Sequence, residues 1–302
     1  MTDRHLRIYL DWSLLQWARK GTHNFLNRLS AALAGRGWTV ELVQTGDEAR
    51  RRAPALPGYA LYHMEMPTHD RALTFRRSYI YPFWRIEASS ERWHWPVAKA
   101  SFPPADLPRA EAEAFGRFWR QRLYPDTRTS RDGYVFMPLQ GRLSQHRSFQ
   151  SMSPMGMIRA TLRHLPKLPI RATLHPKETY SQAELDALDR LQRRRPRLTV
   201  ETVPSADLLA GCDLVVTQNS SLAFEALFYR KPSVLFARID FHHIARSVVD
   251  LGAEAAFDRI GDFQPDYDGY LWWFLQAMSI NAGQSDAETL ILRRFADHGW
   301  PV

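Results

Sequence analysis

Strands and helices alternate regularly between residues 134 and 236, and this alternation limits the possible folds more than any other feature. Apolar runs predict five strands, and segments with helical spacing of apolar residues follow the first four. The strands are predicted at 134–139, 170–174, 198–203, 214–217 and 232–236, and the helices at 153–165, 181–194, 206–211 and 221–229. Ser181 and Glu184 are expected to begin the second of these helices as a capping box. This order is typical of a doubly wound parallel sheet.

The first part of the chain shows a weaker form of the same alternation. Strands are predicted at 7–12, 38–44 and 59–64, with a helix after the first strand that Thr22 or Asn24 would cap. Residues 65–105 show no clean period, which is typical of a long loop or a functional surface. Asp106 is expected to cap a helix that ends near residue 123, and residues 125–133 form a polar linker. We therefore expect an α/β protein with two doubly wound domains facing each other across a cleft.

The predicted domain boundaries follow this linker. Residues 1–128 would form the first Rossmann-like domain and 129–265 the second, and 266–302 would be a helical segment that crosses back to the first domain. The chain has 302 residues, a length that fits about two domains. Its single cysteine, Cys212, excludes intramolecular disulfides. No apolar run reaches the length of a membrane span, and the first residues lack an apolar signal core, so a cytoplasmic protein is expected.

Basic residues are concentrated in one segment. The chain has a formal net charge of +8, and no acidic residue occurs between Asp132 and Glu178. That segment contains seven basic side chains: Arg142, Arg147, Arg159, Arg163, Lys167, Arg171 and Lys177. An anionic ligand is the expected partner. For Arg159, Arg163 and Lys167 the competing explanation is that they only solvate one face of a helix.

Three predicted strand ends in this half carry the residues of an anion site. Ligands of open α/β sheets bind at the carboxyl ends of the strands, and helix N-termini with hydroxyl groups bind phosphates. The candidate side chains are Gln140, Arg142, His146, Arg147, Ser151 and Ser153 after the first strand, His175 and Lys177 after the second, and Asn219, Ser220 and Ser221 before the last helix. Asn219 or Ser220 would cap that helix, and Glu225, one turn inside it, would accept hydrogen bonds from ribose hydroxyls.

The runs PLQ…SPM, TLHPKE, VVTQNSSLAFEALFYRKPSVLF and DFHHIA resemble those of the bacterial capsule polysaccharide biosynthesis family. The resemblance covers about residues 133–245, and the tail DGYLWWFLQAMSIN is similar to the C-terminal helix of that family. The His-Pro and Ser-Ser pairs are also similar to motifs by which GT-B sialyltransferases hold CMP. The resemblance implies a GT-B-like fold and a Kdo transferase that uses a CMP-sugar as donor substrate and no other cofactor or metal.

Carried over by position, the resemblance implies that His175, Ser220 and Ser221 hold the donor phosphate, that Glu225 faces the nucleotide and that Gln140 lines the cleft. The family commonly has an acidic residue a few positions after its Pro-Leu-Gln segment. Here the segment reads GRLSQHRSFQ and contains no carboxylate. The catalytic base or nucleophile must therefore come from elsewhere.

The first domain offers several groups for that task. Glu65 and His63 are the preferred candidates, ahead of His23, His69 and Asp70. A second set, namely Arg76, Arg77, Trp84 and Trp95, would grip an acidic glycan or belong to the core. The acceptor is expected to be an anionic glycan or a lipid-linked glycan.

Alternative functions remain open from the sequence. They are a GT-B transferase or epimerase that uses a UDP-sugar, and a non-catalytic scaffold that binds an anion during capsule assembly. Nucleic acid is not an expected partner, because no motif of a nucleic-acid-binding domain is present. A peripheral contact with the inner membrane would use the arginine-rich residues 71–92 with Trp84, or the pair Trp272 and Trp273.

Overall fold

The computed structural model describes residues 4–302, which form two compact units. Unit 1 contains the residues up to 100 together with 274–302, and unit 2 contains 101–273. The strands are β1 (His5–Leu10), β2 (Thr39–Gln44), β3 (Tyr59–His63), β4 (Ala72–Arg77), β5 (Phe83–Glu87), β6 (Val135–Pro138), β7 (Ile170–Thr173), β8 (Leu198–Glu201), β9 (Leu214–Thr217), β10 (Ser233–Leu235), β11 (Arg246–Ser247) and β12 (Ile280–Asn281).

The helices are α1 (Trp12–Arg19), α2 (Asn24–Ala34), α3 (Asp47–Arg52), α4 (Pro96–Lys99), α5 (Arg109–Leu123), α6 (Pro154–His164), α7 (Gln182–Arg194), α8 (Ser205–Gly211), α9 (Ser221–Phe228), α10 (Val248–Phe257), α11 (Tyr267–Leu271) and α12 (Ala287–Asp297). A π-helical segment, Trp272–Ala277, continues directly from α11. Within residues 4–302, no helix combines the length and the apolar character that crossing a bilayer requires.

Unit 1 is built on a six-stranded sheet in the order β12-β5-β4-β3-β1-β2. The pairs that β1 makes with β2 and β3, and the pair of β3 with β4, are parallel, whereas β5 is antiparallel to both of its neighbours. Leu6 and Ile8 of β1 are fully buried with Phe25 of α2 and Phe295 of α12 in one apolar cluster. The C-terminal residues therefore complete the sheet and the core of this unit.

Unit 2 is built on a second sheet, β11-β10-β9-β6-β7-β8, in which every pair is parallel. The buried side chains of β6, β7 and β9 form one apolar cluster with α6, in which Met157 and Ile158 are fully buried. The chain proceeds from β6 to β7 and β8 on one side and then returns to place β9 on the other side of β6. This reversal is the doubly wound arrangement that the sequence predicts.

The structure corrects several local predictions. The first strand ends at Leu10 because Asp11 caps α1, accepting a hydrogen bond from the Leu14 amide at 3.0 Å. His23, rather than Thr22 or Asn24, caps α2 through Nδ1. Asp106 lies in a 3₁₀ turn, and α5 begins after Pro108 without a side-chain cap. Residues 65–105, which show no period, contain β4 and β5.

The compact units also divide the chain differently from the predicted boundaries at 128/129 and 265/266. The division falls at 100/101 and 273/274, so α5 and the polar linker both belong to unit 2. Within that linker, backbone N–H groups of Ser130 and Asp132 donate to the carbonyls of Ala210 and Gly211 at 3.1 and 2.9 Å. These two hydrogen bonds hold the end of the polar segment against the C-terminal end of α8.

Candidate functional site

The carboxyl ends of β9, β6 and β7 lie side by side in unit 2, and the order of the strands reverses between β6 and β9. Such a reversal opens a crevice above the strand ends, because the loops that follow the two strands leave in opposite directions. All three sequence-predicted segments follow these strands: Gln140 follows β6, His175 follows β7 and Asn219 follows β9. The sequence therefore brings its candidate anion-binding residues to the topological switch point of the sheet.

Hydrogen bonds connect the first and third of these loops. The Asn219 amide donates to Oε1 of Gln140 at 3.3 Å, directly above the point of reversal. Below it, the Thr217 hydroxyl donates to the Pro138 carbonyl at 2.9 Å. Gln140 was predicted to line the site, and the structure shows that it also fixes the start of α9 relative to the β6 loop.

His175 lies two residues beyond β7 and is exposed. Its Nδ1 accepts a hydrogen bond from the Lys177 amide at 3.2 Å, and its own amide donates to the Tyr180 hydroxyl at 2.8 Å. Because Nδ1 acts as an acceptor, the neutral ring carries its proton on Nε2. An exposed Nε2–H donor of this kind is suited to a phosphate oxygen.

The N-terminus of α9 supplies the second group of donors. Ser220 caps the helix and accepts from the Leu222 amide at 3.3 Å, while Ser221 is exposed. Asn219 is buried, and its side-chain amide donates to the Arg238 carbonyl at 3.3 Å. The prediction that Asn219 or Ser220 is the cap is therefore resolved in favour of Ser220, whose hydroxyl can still donate to a ligand.

Two arginines extend the basic character of this edge. Burial lowers the pKa of Arg147, and the nearby positive charge of Arg142 lowers it further. Nε of Arg147 is buried without a hydrogen-bond partner among the described residues, and its guanidinium lies over the Phe149 ring. Arg142 is exposed and has a left-handed backbone, with a φ of 61°. Guanidinium groups that repel one another would be stabilised by an anion bound between them.

Two carboxylates, one from the loop after β7 and one from the first turn of α7, reach the acid-free segment. The sequence does not reveal this approach. The Glu178 carboxylate lies against Gly141, where a Cβ atom would collide with it. Its charge acts on Arg147 by raising the pKa of that group. The Glu184 carboxylate accepts from the Ser144 amide at 3.4 Å, in addition to closing the predicted capping box with Ser181. The site therefore combines cations with two nearby carboxylates, of which Glu178 acts directly on Arg147.

Other predicted residues of this half have different surroundings. Glu225 is half-buried, and its carboxylate accepts from the Tyr124 hydroxyl at 3.4 Å. Burial raises the pKa of Tyr124, and the nearby charge of Glu225 raises it further. Arg171 is held by Glu201 in a two-point ion pair with distances of 2.5 and 2.6 Å. Arg171 is therefore engaged within the sheet, and a role of Glu225 in ribose binding stays a prediction.

The sheet of unit 1 has its own reversal, between β1 and β3. Asp11 follows β1 and His63 ends β3, and the two side chains meet there, with Oδ2 of Asp11 3.5 Å from Nδ1 of His63. Burial lowers the pKa of His63, whereas the Asp11 charge opposes this change. The sequence predicts His63 as a catalytic group but does not indicate its partner. The signal for Asp11 was an acidic residue immediately after a buried strand.

Glu65, the other preferred base, is already engaged. Its Oε2 accepts from the Thr45 hydroxyl at 2.6 Å and from Arg50 at 2.9 Å. Both contacts hold the Glu65 carboxylate in place and occupy one of its two oxygens. The surroundings of the two predicted groups therefore favour His63 over Glu65 as the proton acceptor.

The remaining candidates of unit 1 lie mainly in its interior. His23 is buried, and burial lowers its pKa. Trp84 and Trp95, each 2% exposed, cannot grip a glycan, because Trp84 stacks on Phe25 and Trp95 donates to the Ser89 carbonyl. For the same reason Trp84 offers no membrane contact.

The second predicted membrane contact, the tryptophan pair, and the remaining polar candidates of unit 1 differ in their exposure. Trp273 is buried in unit 2, which removes half of the predicted tryptophan pair. Arg76 is partly buried and Arg77 is exposed over the Tyr81 ring. His69 contacts the Thr68 hydroxyl at 3.2 Å, and Asp70 is exposed. Across residues 4–302, no three His, Cys, Asp or Glu side chains are close enough together to hold a metal ion.

The chain resembles known proteins in its structure but not in its overall sequence. No protein-family model matches the sequence, and no curated protein matches it either. Among solved structures, the chain is similar to KpsC of Thermosulfurimonas dismutans, described as a beta Kdo 2,7 transferase, with 12% identity and a TM-score of 0.54 over 97% of this chain and 99% of that chain. A second KpsC structure from that organism, a beta Kdo 2,4 transferase, is similar over 89% of each chain, with 12% identity and a TM-score of 0.50.

These likenesses extend over both sheets and therefore define the class of fold. The chain has a GT-B fold of the kind found in Kdo transferases, as the sequence resemblance implied. At 12% identity these likenesses show the fold alone, because unrelated activities share such folds.

Proposed function

We propose that this protein is a glycosyltransferase of capsule or surface polysaccharide synthesis that transfers Kdo or a similar acidic sugar from a CMP-sugar to a glycan or glycolipid acceptor. The observation that carries the proposal is the hydrogen bond between Gln140 and the Asn219 amide, which ties the β6 loop to the N-terminus of α9 at the switch point of unit 2. The fold shared with Kdo transferases supports the choice of sugar.

In the proposed reaction, the bond between the anomeric carbon of the donor and the CMP phosphate oxygen breaks, and negative charge builds up on the phosphate. Nε2–H of His175, the hydroxyls of Ser220 and Ser221 and the amides at the start of α9 would stabilise that charge. Arg142, Arg147 and Lys177 would add positive potential. Removing one preorganised donor of this kind typically costs about 10²–10³ in turnover.

The acceptor hydroxyl must lose a proton as it attacks the anomeric carbon. We assign this task to His63, because burial keeps its ring neutral near pH 7 and Asp11 can hold its Nδ1–H. Nε2 would then take the proton of the acceptor. Glu65 is assigned to holding Arg50 and Thr45 in place rather than to proton transfer.

The first test compares nucleotides by thermal shift. CMP is expected to raise the melting temperature more than UDP at equal concentration, because the ligand with the lower Kd stabilises the folded state more. A larger shift with UDP would favour the UDP-sugar alternative. Binding of CMP without any turnover of CMP-sugars would favour the non-catalytic scaffold.

The second test replaces His175 by alanine. Turnover of a CMP-sugar is expected to fall by a factor of about 10²–10³ with an unchanged melting temperature, since the ring is exposed. His94→Ala, which removes another exposed histidine, serves as the control and should leave turnover unchanged. Equal turnover in His175→Ala and wild type would exclude His175 from phosphate stabilisation.

A further inference from the structure

A groove on unit 2, formed by α6, α7 and the residues just after α7, is lined by arginines and is distinct from the switch point. It has a volume of about 610 Å³. Its rim consists of six arginines, called here the arginine groove: Arg159, Arg163, Arg190, Arg194, Arg195 and Arg197. The aliphatic side chains of Leu162, Ala187 and Leu191 complete the lining, which contains no acidic residue.

Five of these six guanidinium groups have no internal role. Arg197 donates to the carbonyls of Leu162, Leu165 and Leu168, so it serves to close the C-terminal end of α6. The other five are exposed and make no hydrogen bond or ion pair within residues 4–302. On α7, the Asp189 carboxylate pairs with Arg193, which is outside the groove. Arg190 and Arg194 therefore line the groove without an acidic partner on their own helix.

The cost of gathering these charges indicates that an external anion compensates them. Like charges on neighbouring turns repel one another and destabilise the folded chain. Solvation of a helix face explains one or two exposed arginines, but it does not explain why residues from two helices and a loop all line one recess. A guanidinium fork fits the oxygens of phosphate or carboxylate groups.

The composition of the groove distinguishes among possible anions. Arginine has only donors, and the aliphatic side chains have neither donors nor acceptors. The hydroxyl groups of a glycan would find no side-chain acceptor there, and nucleic-acid bases would find no aromatic ring on which to stack. A phospholipid headgroup has matching properties, because its phosphate is an acceptor and the adjoining glycerol and acyl carbons are apolar.

We propose that the arginine groove binds the phosphate groups of anionic phospholipids and so attaches unit 2 to a membrane surface. Groups of four to eight basic side chains typically bind such surfaces, and each charge strengthens binding severalfold. The proposal does not depend on the transferase function. It also differs from the membrane contacts predicted from the sequence, since Trp84 and Trp273 are buried.

The experiment measures co-sedimentation of the full chain with vesicles of phosphatidylcholine alone, or with about one third phosphatidylglycerol. The groove variant is Arg159→Glu with Arg190→Glu, which reverses one exposed arginine on each helix. The matched control is Arg19→Glu with Arg128→Glu, two exposed arginines outside the groove. Both variants lower the formal net charge from +8 to +4, so only the position of the charge differs.

The wild type and the control are expected to bind the anionic vesicles and not pure phosphatidylcholine. The groove variant should bind at least about thirtyfold more weakly, since the loss of two membrane-facing positive charges alone has that effect. Circular dichroism melting shows whether the variant stays folded, and Arg159→Gln with Arg190→Gln provides a milder second variant that should lose binding in the same direction.

Three results would overturn the proposal. The first is absence of binding to anionic vesicles by wild type, and the second is equal weakening in the groove and control variants, which would indicate diffuse charge attraction. The third is tighter binding of a soluble anionic polysaccharide with the same dependence on Arg159 and Arg190, which would assign the groove to a glycan.

Discussion

Asp11 shows at the scale of one residue how a single side chain can both cap a helix and contact the proposed catalytic base. One carboxylate oxygen accepts from the Leu14 amide at the start of α1, and the other lies 3.5 Å from His63. The cap fixes the orientation of the carboxylate, because rotating the carboxylate away from the Leu14 amide would break a hydrogen bond. Asparagine caps helices as well as aspartate does, so the charge can be removed while the fold is kept.

We predict that Asp11→Asn moves the acid limb of the pH–rate profile to lower pH. The negative charge of Asp11 raises the pKa of His63 against the larger lowering by burial. Without that charge, the pKa falls further, and the ring stays neutral to more acidic pH. The measurement is kcat/KM between pH 4.5 and 8, which reports the base of the free enzyme.

The rate at the plateau should also fall, by at least tenfold, because the ring loses the group that selects its tautomer. Asp70→Asn is the control, since Asp70 is exposed and lies beside His69 rather than His63. If Asp70→Asn moved the limb and Asp11→Asn did not, the assignment of His63 as the base would be refuted.

Among the elements, α5 belongs to unit 2, whereas the sequence predicts that it is part of the first domain. Its glycine, Gly116, lies against the carboxylate of Asp268 at α11, and a Cβ atom there would overlap that group. Asp268 also accepts from Arg120 of α5 at 3.1 Å and pairs with Arg230. A small residue on one helix and a paired acid on the other thus allow α5 and α11 to pack closely.

We predict that Gly116→Ala destabilises the protein by about 1–3 kcal/mol, the usual cost of overpacking. In an open helix the same change would stabilise by up to about 1 kcal/mol. The sign of the change in the free energy of urea unfolding therefore tests the contact. Gly261→Ala, at a glycine with no atom within 4 Å of its added carbon, should be neutral.

The double variant Gly116→Ala with Asp268→Ala gives a further check. If the contact with Asp268 causes the loss, the two changes will not be additive, because the alanine methyl then enters space that the carboxylate has left. Additive effects would place the strain elsewhere in α5.

The elements that the sequence predicts best are those whose signals are local. The strand predicted at 214–217 agrees with β9, and the capping box of Ser181 and Glu184 forms as expected. β4 and β5 were missed because charges interrupt their apolar pattern. Arg85 in β5 is buried and donates to the carbonyls of Phe274 and Met278, almost 200 residues away. No local pattern contains that information.

The same limit applies to the candidate site. His175, Asn219 and Ser220 were predicted because each follows a recognisable strand. The contact of Asp11 with His63, and the approach of Glu178 to Gly141, join loops that only the order of strands brings together. Residue type and position along the chain thus predict which groups gather at a sheet edge, but not which groups contact one another there.

For the whole molecule, the two units differ in the ionisable groups that their folds perturb. In unit 1, burial lowers the pKa of four histidines below the ordinary value of 6.5: His23, His63, His69 and His298. In unit 2, hydrogen bonds and an ion pair lower the pKa of Glu184 and Glu201 below 4.5. The two groups of residues therefore respond to different ranges of pH.

We predict that acidification from pH 7.5 to 5.5 destabilises unit 1 before unit 2. Below pH 6.5 the unfolded histidines bind protons that the folded ones resist, so stability is complete above pH 6.5 and falls as the pH drops toward the folded pKa values. Each such histidine contributes at most about 1.4 kcal/mol per pH unit. The glutamates of unit 2 stay charged throughout this range, and their contribution is lost only below about pH 4.5.

Hydrogen exchange resolved by peptide should show protection falling first in α2 and β3, while β6, β7 and α7 keep their protection. His23→Gln, at the most buried of these rings, should reduce the pH dependence in unit 1. Simultaneous loss of protection in both units would mean that they unfold as one, and an unchanged pH dependence in His23→Gln would remove that ring as a cause.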